Sequence, residues 1–246
     1  MNDHSDRLTD GLPSDSTVTI IGAGQAGLAM SRELTDRSID HVLIERGQVA
    51  NSWRTERWES LRLLTPNWMT RLPGHRYQGN DPDGYMTAAE VTGFLDGYRA
   101  SFNAPVVTDT TVQSVGQIDG GHLVTTDRGQ IRSKAVVVAT GACSTPKIPA
   151  LAEQLPAHIH QLAPIHYRTP DQLGSGRVLV VGASASGAQL ADELQRSGRQ
   201  VTLAVGDHTR LPRSYRGMDI HWWMDTIGLL DDRYDEVTDI VRARRL

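Results

Sequence analysis

Short apolar runs alternate along the chain with glycine-rich turns and with segments of helical periodicity. The first run, T-V-T-I-I, begins at residue 17 and is followed by G-A-G-Q-A-G, a helical pattern and a second run, H-V-L-I-E, that ends at residue 45. Continuous apolar runs of this length are typical of buried parallel strands. The pattern therefore predicts a strand, turn, helix and strand in succession over residues 17–45.

The same order of elements recurs in the second half of the chain. An apolar run at 177–181 precedes G-A-S-A-S-G, and a helical pattern at 188–196 precedes another apolar run at 200–205. The sequence therefore predicts an α/β fold with two Rossmann-type dinucleotide-binding units.

Other elements are expected between the two units. Residues 87–102 have helical spacing, with Thr87 as N-cap and Glu90 completing a capping box. Residues 112–131 predict a small antiparallel β meander, because apolar positions alternate with Asp-Gly and Arg-Gly turns. A continuous apolar strand is predicted over 134–140.

The glycines of the first turn have the spacing that binds a pyrophosphate at a helix start. Gly22 permits the tight turn, Gly24 lets the backbone approach the phosphates, and Gly27 lets the helix pack closely on the strand. Glu45 ends the second strand, where an acidic side chain hydrogen-bonds ribose hydroxyls. The alternative is a glycine-rich turn that binds no ligand.

The second turn differs in its chemistry. It presents Gly182, Ser184, Ser186 and Gly187. Ser184 replaces Gly24, and its hydroxyl is able to donate to a phosphate. Gly206 stands where the first unit has Glu45, and arginines follow at Arg210, Arg213 and Arg216. Guanidinium groups suit a ribose 2′-phosphate and favour NADPH. Asp207 favours an unphosphorylated ribose instead, and a solvated basic loop is the alternative for the arginines.

Composition excludes several classes of protein. A formal charge of −4 without long charged runs does not favour nucleic-acid binding. The single cysteine, Cys143, rules out a CxxC redox or zinc motif in this chain. Three histidines in a proline-rich stretch lack acidic or cysteine partners, so no metal site is predicted. Apolar runs are too short to span a membrane, and the polar start does not resemble a signal peptide, so we expect a cytoplasmic protein.

The predicted organisation has three parts. Residues 1–16 form a flexible leader, 17–146 an FAD-type nucleotide domain, and 147–246 a second nucleotide domain that begins in a proline-rich passage. Aromatic residues among arginines in 46–83 predict a folded loop region over a ligand, with ordinary surface packing as the alternative.

The chain resembles the flavin-containing monooxygenase-like family, the class B flavoprotein monooxygenases. The resemblance rests on G-A-G-Q-A-G, N-S-W-R, L-R-L-L-T-P, V-V-A-T-G, G-A-S-A-S-G and T-L-A-V with L-P-R. It implies that FAD adenosine and pyrophosphate bind at Gly22, Gly24, Gln25, Ala26, Gly27, Glu45 and Arg46. It further implies that Ser52, Trp53 and Thr65 lie nearer the ribityl chain or flavin, that Val112 faces the adenine, and that Thr140 and Gly141 form the turn towards the NADPH domain.

The resemblance also implies a reaction. Hydride passes from NADPH to FAD, and reduced flavin activates molecular oxygen as a C4a-peroxide that acts on a small organic substrate. Relatives continue beyond the equivalent of Leu246, so a truncated chain is expected. The alternatives are a flavin reductase that works without a CxxC motif and an inactive nucleotide-binding fragment. A homo-oligomer is compatible with the sequence, and no catalytic residue is predicted.

Overall fold

The computed structural model describes residues 11–207, 211–233 and 235–239. They form two compact units. The first contains the described residues up to Leu63 together with Asn67–Gln172, and the second contains Leu64–Pro66 and the described residues from Leu173 onward. Residues 147–172, which the sequence pattern grouped with the second nucleotide domain, therefore lie in the first unit.

The first unit is built on a six-stranded sheet with a short separate hairpin. Its strands are β1 (Asp15–Ile21), β2 (His41–Ile44), β3 (Arg71–Leu72), β4 (His75–Arg76), β5 (Val106–Val107), β6 (Val112–Ile118), β7 (Gly121–Thr126) and β8 (Gly129–Val138). The sheet order is β5-β2-β1-β8-β7-β6, and β3 pairs with β4 in the hairpin. In the sheet, β5, β2, β1 and β8 are successive neighbours and run parallel. Strands β8, β7 and β6 form the predicted antiparallel meander.

Strand β8 joins the two halves of this sheet. Its first half pairs antiparallel with β7 from Gly129 to Ser133, and it pairs parallel with β1 from Arg132 to Val138. The pattern predicted a meander strand near Ile131 and a separate strand from residue 134, but the structure has one continuous strand. It begins at Gly129, directly after the turn at residues 127–128, and no further glycine or proline interrupts it, so the backbone continues in extended form.

The helices of the first unit are α1 (Gln25–Asp36), α2 (Asn51–Thr55) and α3 (Ala88–Ser101). Leu28 on α1 and Leu95 and Tyr98 on α3 are buried in the main hydrophobic core with Ile20 and Leu43 from the sheet. The core thus holds α1 and α3 against the strands that end at the glycine turn.

The region 46–83 is folded, as predicted. Besides α2 and the hairpin it contains a short 3-10 turn, Asn67–Met69. Trp58 is buried in this region at 4% exposure. The Asn67 amide donates to the Asp81 carbonyl, so Asn67 fixes the turn.

The second unit repeats the nucleotide-binding order with β9 (Val178–Val181), α4 (Ala185–Arg196) and β10 (Val201–Ala204). Strands β9 and β10 are parallel, as expected. A small hairpin, β11 (Ser214–Tyr215) with β12 (Met218–Asp219), leads into α5 (Ile220–Thr226). The prediction of a Rossmann-type α/β fold is confirmed. In the parts of the chain that the structure describes, no helix has the length and apolar character needed to cross a membrane.

The predicted capping box begins α3. The Thr87 hydroxyl accepts from the Glu90 backbone N–H at 3.2 Å, and the Glu90 carboxylate accepts from the Thr87 backbone N–H at 2.7 Å. The hydrogen bond from the Thr87 backbone, followed by that from its hydroxyl, lowers the pKa of Glu90. A lowered folded-state pKa means that this contribution is present at neutral pH and is lost as the pH falls through that pKa.

We expect Thr87→Ala to lower the free energy of unfolding by about 1 kcal/mol at neutral pH, because the cap loses its side-chain acceptor. The loss should be smaller in acid, where Glu90 is protonated in both proteins. Urea denaturation at the two pH values measures both effects. Thr145→Ala, at an exposed loop position, is the matched control and should leave stability unchanged. An equal loss for both variants would contradict the assigned role of the cap.

Candidate functional site

A cavity of about 590 Å³ lies in the first unit where β1, β2 and β8 end and α1 begins. The structure brings most of the predicted FAD residues to its wall. They are Gly22, Gly24, Gln25, Ala26, Glu45, Arg46, Ser52, Trp53, Val112, Thr140 and Gly141. Residues from sequence positions more than a hundred apart thus converge on one concave surface.

Two of the first-turn glycines are required by packing within the protein. Gly22 has φ +104°, and a Cβ there would lie 2.5 Å from the Ala139 carbonyl oxygen. A Cβ on Gly27 would lie 1.9 Å from the carbonyl oxygen of Gly22. These positions exclude any side chain whether or not a ligand binds.

Gly24 is different, because nothing in the protein requires a glycine there. A Cβ at this position would meet no atom within 4 Å. Its backbone has φ −84° and ψ −167°, which any residue adopts, and Ser184 has nearly the same conformation at the equivalent place in the second unit. The open space beside Gly24 is the cavity itself. The glycine therefore keeps the turn bare towards whatever fills the cavity.

The start of α1 faces this space without a side-chain cap. The first N–H groups of a helix have no intrahelical acceptor and carry partial positive charge. Such a helix start binds phosphate groups through backbone N–H donors.

Glu45 lies at the opposite edge of the turn and is 7% exposed. One carboxylate oxygen accepts from the Ala23 backbone N–H at 2.8 Å, and the other from the Gly47 N–H at 3.2 Å. Glu45 thereby ties the glycine turn to the end of β2. A carboxylate offers about four acceptor positions, so these two bonds leave capacity for ribose hydroxyls.

Helix α2 and the residues after it form another wall of the cavity. Arg46 makes an ion pair with Glu56, and the Arg57 guanidinium lies 5.3 Å from the centre of the Trp53 ring. One carboxylate oxygen of Glu56 is buried and has no hydrogen-bond partner among the described residues. All four side chains line the cavity.

Sequence reasoning missed several wall residues. They are Ile21, Ala29, Ile44, Ala50, Asn51, Glu56, Arg57, Leu72, Thr110, Thr111, Ala139, Ala142, Cys143 and Ser144. Those that lie next to predicted residues in the sequence could have been inferred from that adjacency. The N-S-W-R motif indicated α2 directly. Thr110 and Thr111 gave no signal, since contacts between distant segments place them at the cavity, among them the hydrogen bond from the Thr110 N–H to the Glu45 carbonyl oxygen, 2.9 Å long.

The remaining predicted residues lie elsewhere. Gly27 packs against the backbone of Gly22 and does not line the cavity. Thr65 is grouped with the second unit. Arg210 lies outside the described residues. The role of Thr65 and Arg210 in binding a cofactor remains a prediction.

The second turn repeats the packing of the first. Gly182 has φ +98°, and a Cβ on Gly187 would lie 1.8 Å from the Gly182 carbonyl oxygen. Ser184 and Ser186 occupy the cap and the first turn of α4, and no side chain caps that helix. Arg213 pairs with Asp219 at 2.9 Å and its side chain is 43% exposed.

The residues present fit FAD in the first unit. The cavity offers a bare turn at Gly24, an uncapped helix start for two phosphates, and the Glu45 carboxylate for a ribose. Its volume is in the range of pockets that bind cofactors. Such a turn, placed after a parallel strand and before a helix, is typical of dinucleotide-binding proteins.

The comparisons with known proteins agree with this class. Residues 19–223 match the family described as pyridine nucleotide-disulphide oxidoreductase. The chain belongs to this family.

The chain is similar to a CzcO-like oxidoreductase of Geobacillus kaustophilus, at 40% identity over 216 residues that cover 87% of this chain and 61% of that protein. It is also similar to the CzcO oxidoreductase of Bacillus subtilis, at 33% identity over 86% of this chain and 61% of that protein. Among solved structures, a flavin-containing monooxygenase from Stenotrophomonas maltophilia matches with a TM-score of 0.71 and 26% identity, covering 92% of this chain and 69% of that one. The chain thus spans about three fifths of the length of these curated relatives. The resemblance to flavin-containing monooxygenases is confirmed at the level of family and fold.

Packing requires a glycine at positions 22 and 27 but not at position 24, and this difference can be tested. We expect Gly24→Ala to fold with unchanged stability and to weaken FAD binding at least about tenfold, about 1.4 kcal/mol, because the methyl group occupies space needed by the phosphates. Gly27→Ala should instead destabilise the fold, since a backbone atom must move. Thermal denaturation and FAD titration of the apoproteins measure the two quantities.

Gly93→Ala is the matched control, because a Cβ there also meets nothing within 4 Å but the residue lies on α3. It should bind FAD as the wild type does. Unchanged FAD affinity in Gly24→Ala would show that the cavity at this turn does not hold the phosphates.

Proposed function

We propose that the protein is an FAD-dependent, NADPH-oxidising monooxygenase-like oxidoreductase that acts on a small organic substrate. The observation that carries this proposal is the bare position at Gly24, which opens into a cavity between an uncapped helix start and the Glu45 carboxylate. The family match and the similarity to a flavin-containing monooxygenase support it. The chain covers only part of the length of its relatives, so the complete oxidoreductase activity belongs to the proposal.

The first unit is the FAD unit of this proposal. Gly24, Gln25 and Ala26 present backbone N–H groups to the pyrophosphate, and Glu45 accepts from the adenosine ribose. Val112 contributes backbone contact to the adenine. Ser52, Trp53 and Thr65 are assigned to the ribityl and flavin end, and Arg46 to the adenosine end.

When bound, FAD would supply the redox chemistry, with NADPH as the source of hydride and molecular oxygen as the electron acceptor. The residues of the chain bind and orient the two nucleotides. Release of hydrogen peroxide is disfavoured where water is kept from the reduced flavin, so transfer of oxygen to a substrate would require a dry flavin end of the cavity.

The second unit is the NADPH unit of the proposal. Gly182, Ser184, Ser186 and Gly187 form a helix start of the same design, and Thr140 and Gly141 form the turn after β8 that the proposal assigns to the path towards this unit. No carboxylate ends β10, since Val205 and Gly206 follow it. Arg213 is assigned to the ribose 2′-phosphate together with Arg210. A guanidinium carries five donors, so the ion pair with Asp219 is compatible with a phosphate contact.

The purified protein should bind one FAD and show a flavin absorption band. Under anaerobic conditions NADPH should bleach this band, and oxygen should restore it. A well-folded protein that stays colourless after incubation with FAD would contradict the proposal. Bleaching followed by rapid reduction of added disulfides, with no oxygen incorporated into any organic substrate, would favour the flavin reductase. FAD binding without NADPH oxidation would favour a nucleotide-binding fragment.

The assignment of NADPH has its own test. We expect Arg213→Ala to weaken NADP⁺ binding about tenfold or more, because a charged hydrogen bond is worth about 1.5–3 kcal/mol, and to leave NAD⁺ binding unchanged. Calorimetric titration of the FAD-loaded protein measures both constants. Arg196→Ala, which removes an exposed arginine of α4 paired with Asp192, is the control. Equal losses for NADP⁺ and NAD⁺ would contradict a contact to the 2′-phosphate.

A further inference from the structure

The segment that follows the V-V-A-T-G turn is fastened to the first unit at Arg168. Tyr167, next to it, is 4% exposed and anchors the segment in the protein. Arg168 itself is half-buried. It lies outside the cavity, in the proline-rich stretch that the sequence pattern grouped with the second domain.

Arg168 makes hydrogen bonds in two directions. Its guanidinium donates to the carbonyl oxygens of Ile165 at 2.8 Å and Tyr167 at 2.7 Å, within its own segment. The other guanidinium nitrogen donates to the carbonyl oxygen of Thr55. The Arg168 carbonyl oxygen in turn accepts from the Glu59 backbone N–H at 3.0 Å. One residue therefore holds both ends of the stretch from Thr55 to Glu59.

This stretch forms part of the cavity wall. Thr55 is the last residue of α2, where helix carbonyl groups have no intrahelical donor. Arg168 supplies a donor there, and a cation at a helix C-terminus is also favoured by the helix dipole. Glu56 and Arg57, directly after Thr55, line the cavity with Trp53 from α2.

Helix α2 depends on such outside support. It has only five residues, and helices of this length are unstable alone in water. None of its residues is fully buried, and it is held by the packing of Trp53 against the core, by the ion pair of Arg54 with Asp96 on α3, and by Arg168 at its end. The contacts of Trp53 and Arg54 hold the middle of α2, whereas Arg168 bonds the carbonyl of its last residue, directly before Glu56 and Arg57, which make the Arg46–Glu56 pair and the Arg57–Trp53 contact.

We propose that Arg168 is a positioning residue of the FAD site, which holds the end of α2 so that Trp53, Glu56 and Arg57 keep the wall in the shape that accepts FAD. This inference rests on the proposed function, since it requires FAD in the cavity. Arg168 does not touch the cofactor. The segment beyond residue 146 would therefore support the wall of the FAD site from outside the cavity.

The role requires an arginine. Its planar fork reaches carbonyl groups of two segments at once, whereas a lysine ammonium is a single point of contact on a flexible stem. Lysine restores the charge at the helix end but not the bridge. A conservative replacement should therefore rescue only part of the function.

The test compares Arg168→Met, Arg168→Lys and the control Arg196→Met as apoproteins. FAD titration followed by flavin fluorescence gives the dissociation constant, and visible circular dichroism of the bound flavin reports the shape of its site. We expect Arg168→Met to weaken FAD binding about tenfold, or about 1.4 kcal/mol, and to change the dichroism. Arg168→Lys should be intermediate, and Arg196→Met should match the wild type.

The outcomes separate the two proposals. A lowered melting temperature in Arg168→Met, with FAD affinity and dichroism unchanged, would overturn the positioning role and leave the proposed function standing. Failure of the wild type to bind FAD would overturn both. If Arg168→Met does not fold, Arg168→Lys decides: wild-type affinity and dichroism in this variant would overturn the need for the bridge.

Discussion

The close approach of α1 to the end of β1 determines the rest of the first unit. A Cβ on Gly27 would lie 1.9 Å from the carbonyl oxygen of Gly22, so the helix can lie this near the strand only without a side chain. The approach places the uncapped start of α1 beside the ends of β1, β2 and β8. The cavity exists because helix and strands meet there. The second unit has the same constraint at Gly187 and Gly182.

Hydrogen bonds then fix the edges of the cavity. Glu45 ties the turn at Ala23 to the end of β2, and its backbone carbonyl receives the N–H of Thr110. On the other side, Arg46 and Glu56 pair across the cavity wall, and Arg168 holds the segment that carries Glu56. Backbone groups thus supply the phosphate site, and a chain of polar side chains supports the walls around it.

Local pattern predicted the parts of the fold that local forces decide. Both glycine turns, the parallel strands beside them and the capping box at Thr87 followed from spacing and residue type, because each depends on neighbours in the sequence. Most of the residues predicted to bind FAD also line the cavity, since they belong to the turns and strand ends.

Contacts between distant segments were beyond such reasoning. Continuous β8 has two partners of opposite direction, which only the assembled sheet decides. The bond from Arg168 to Thr55 joins residues 113 positions apart, and nothing in the proline-rich segment around Arg168 indicates its partner. Thr110 and Thr111 similarly reach the cavity through the pairing of backbone groups.

In the function we propose, the bare glycine turn of the first unit binds the phosphates of a dinucleotide. Titration of the isotopically labelled apoprotein with FAD, followed through the backbone N–H resonances, tests it directly. We expect saturation at one FAD per chain. The largest changes in resonance position should occur at the N–H groups of Gly24, Gln25 and Ala26, and smaller ones at those of Ser184, Ala185 and Ser186. Shifts centred on the second turn, or none at Gly24 when FAD saturates, would contradict it.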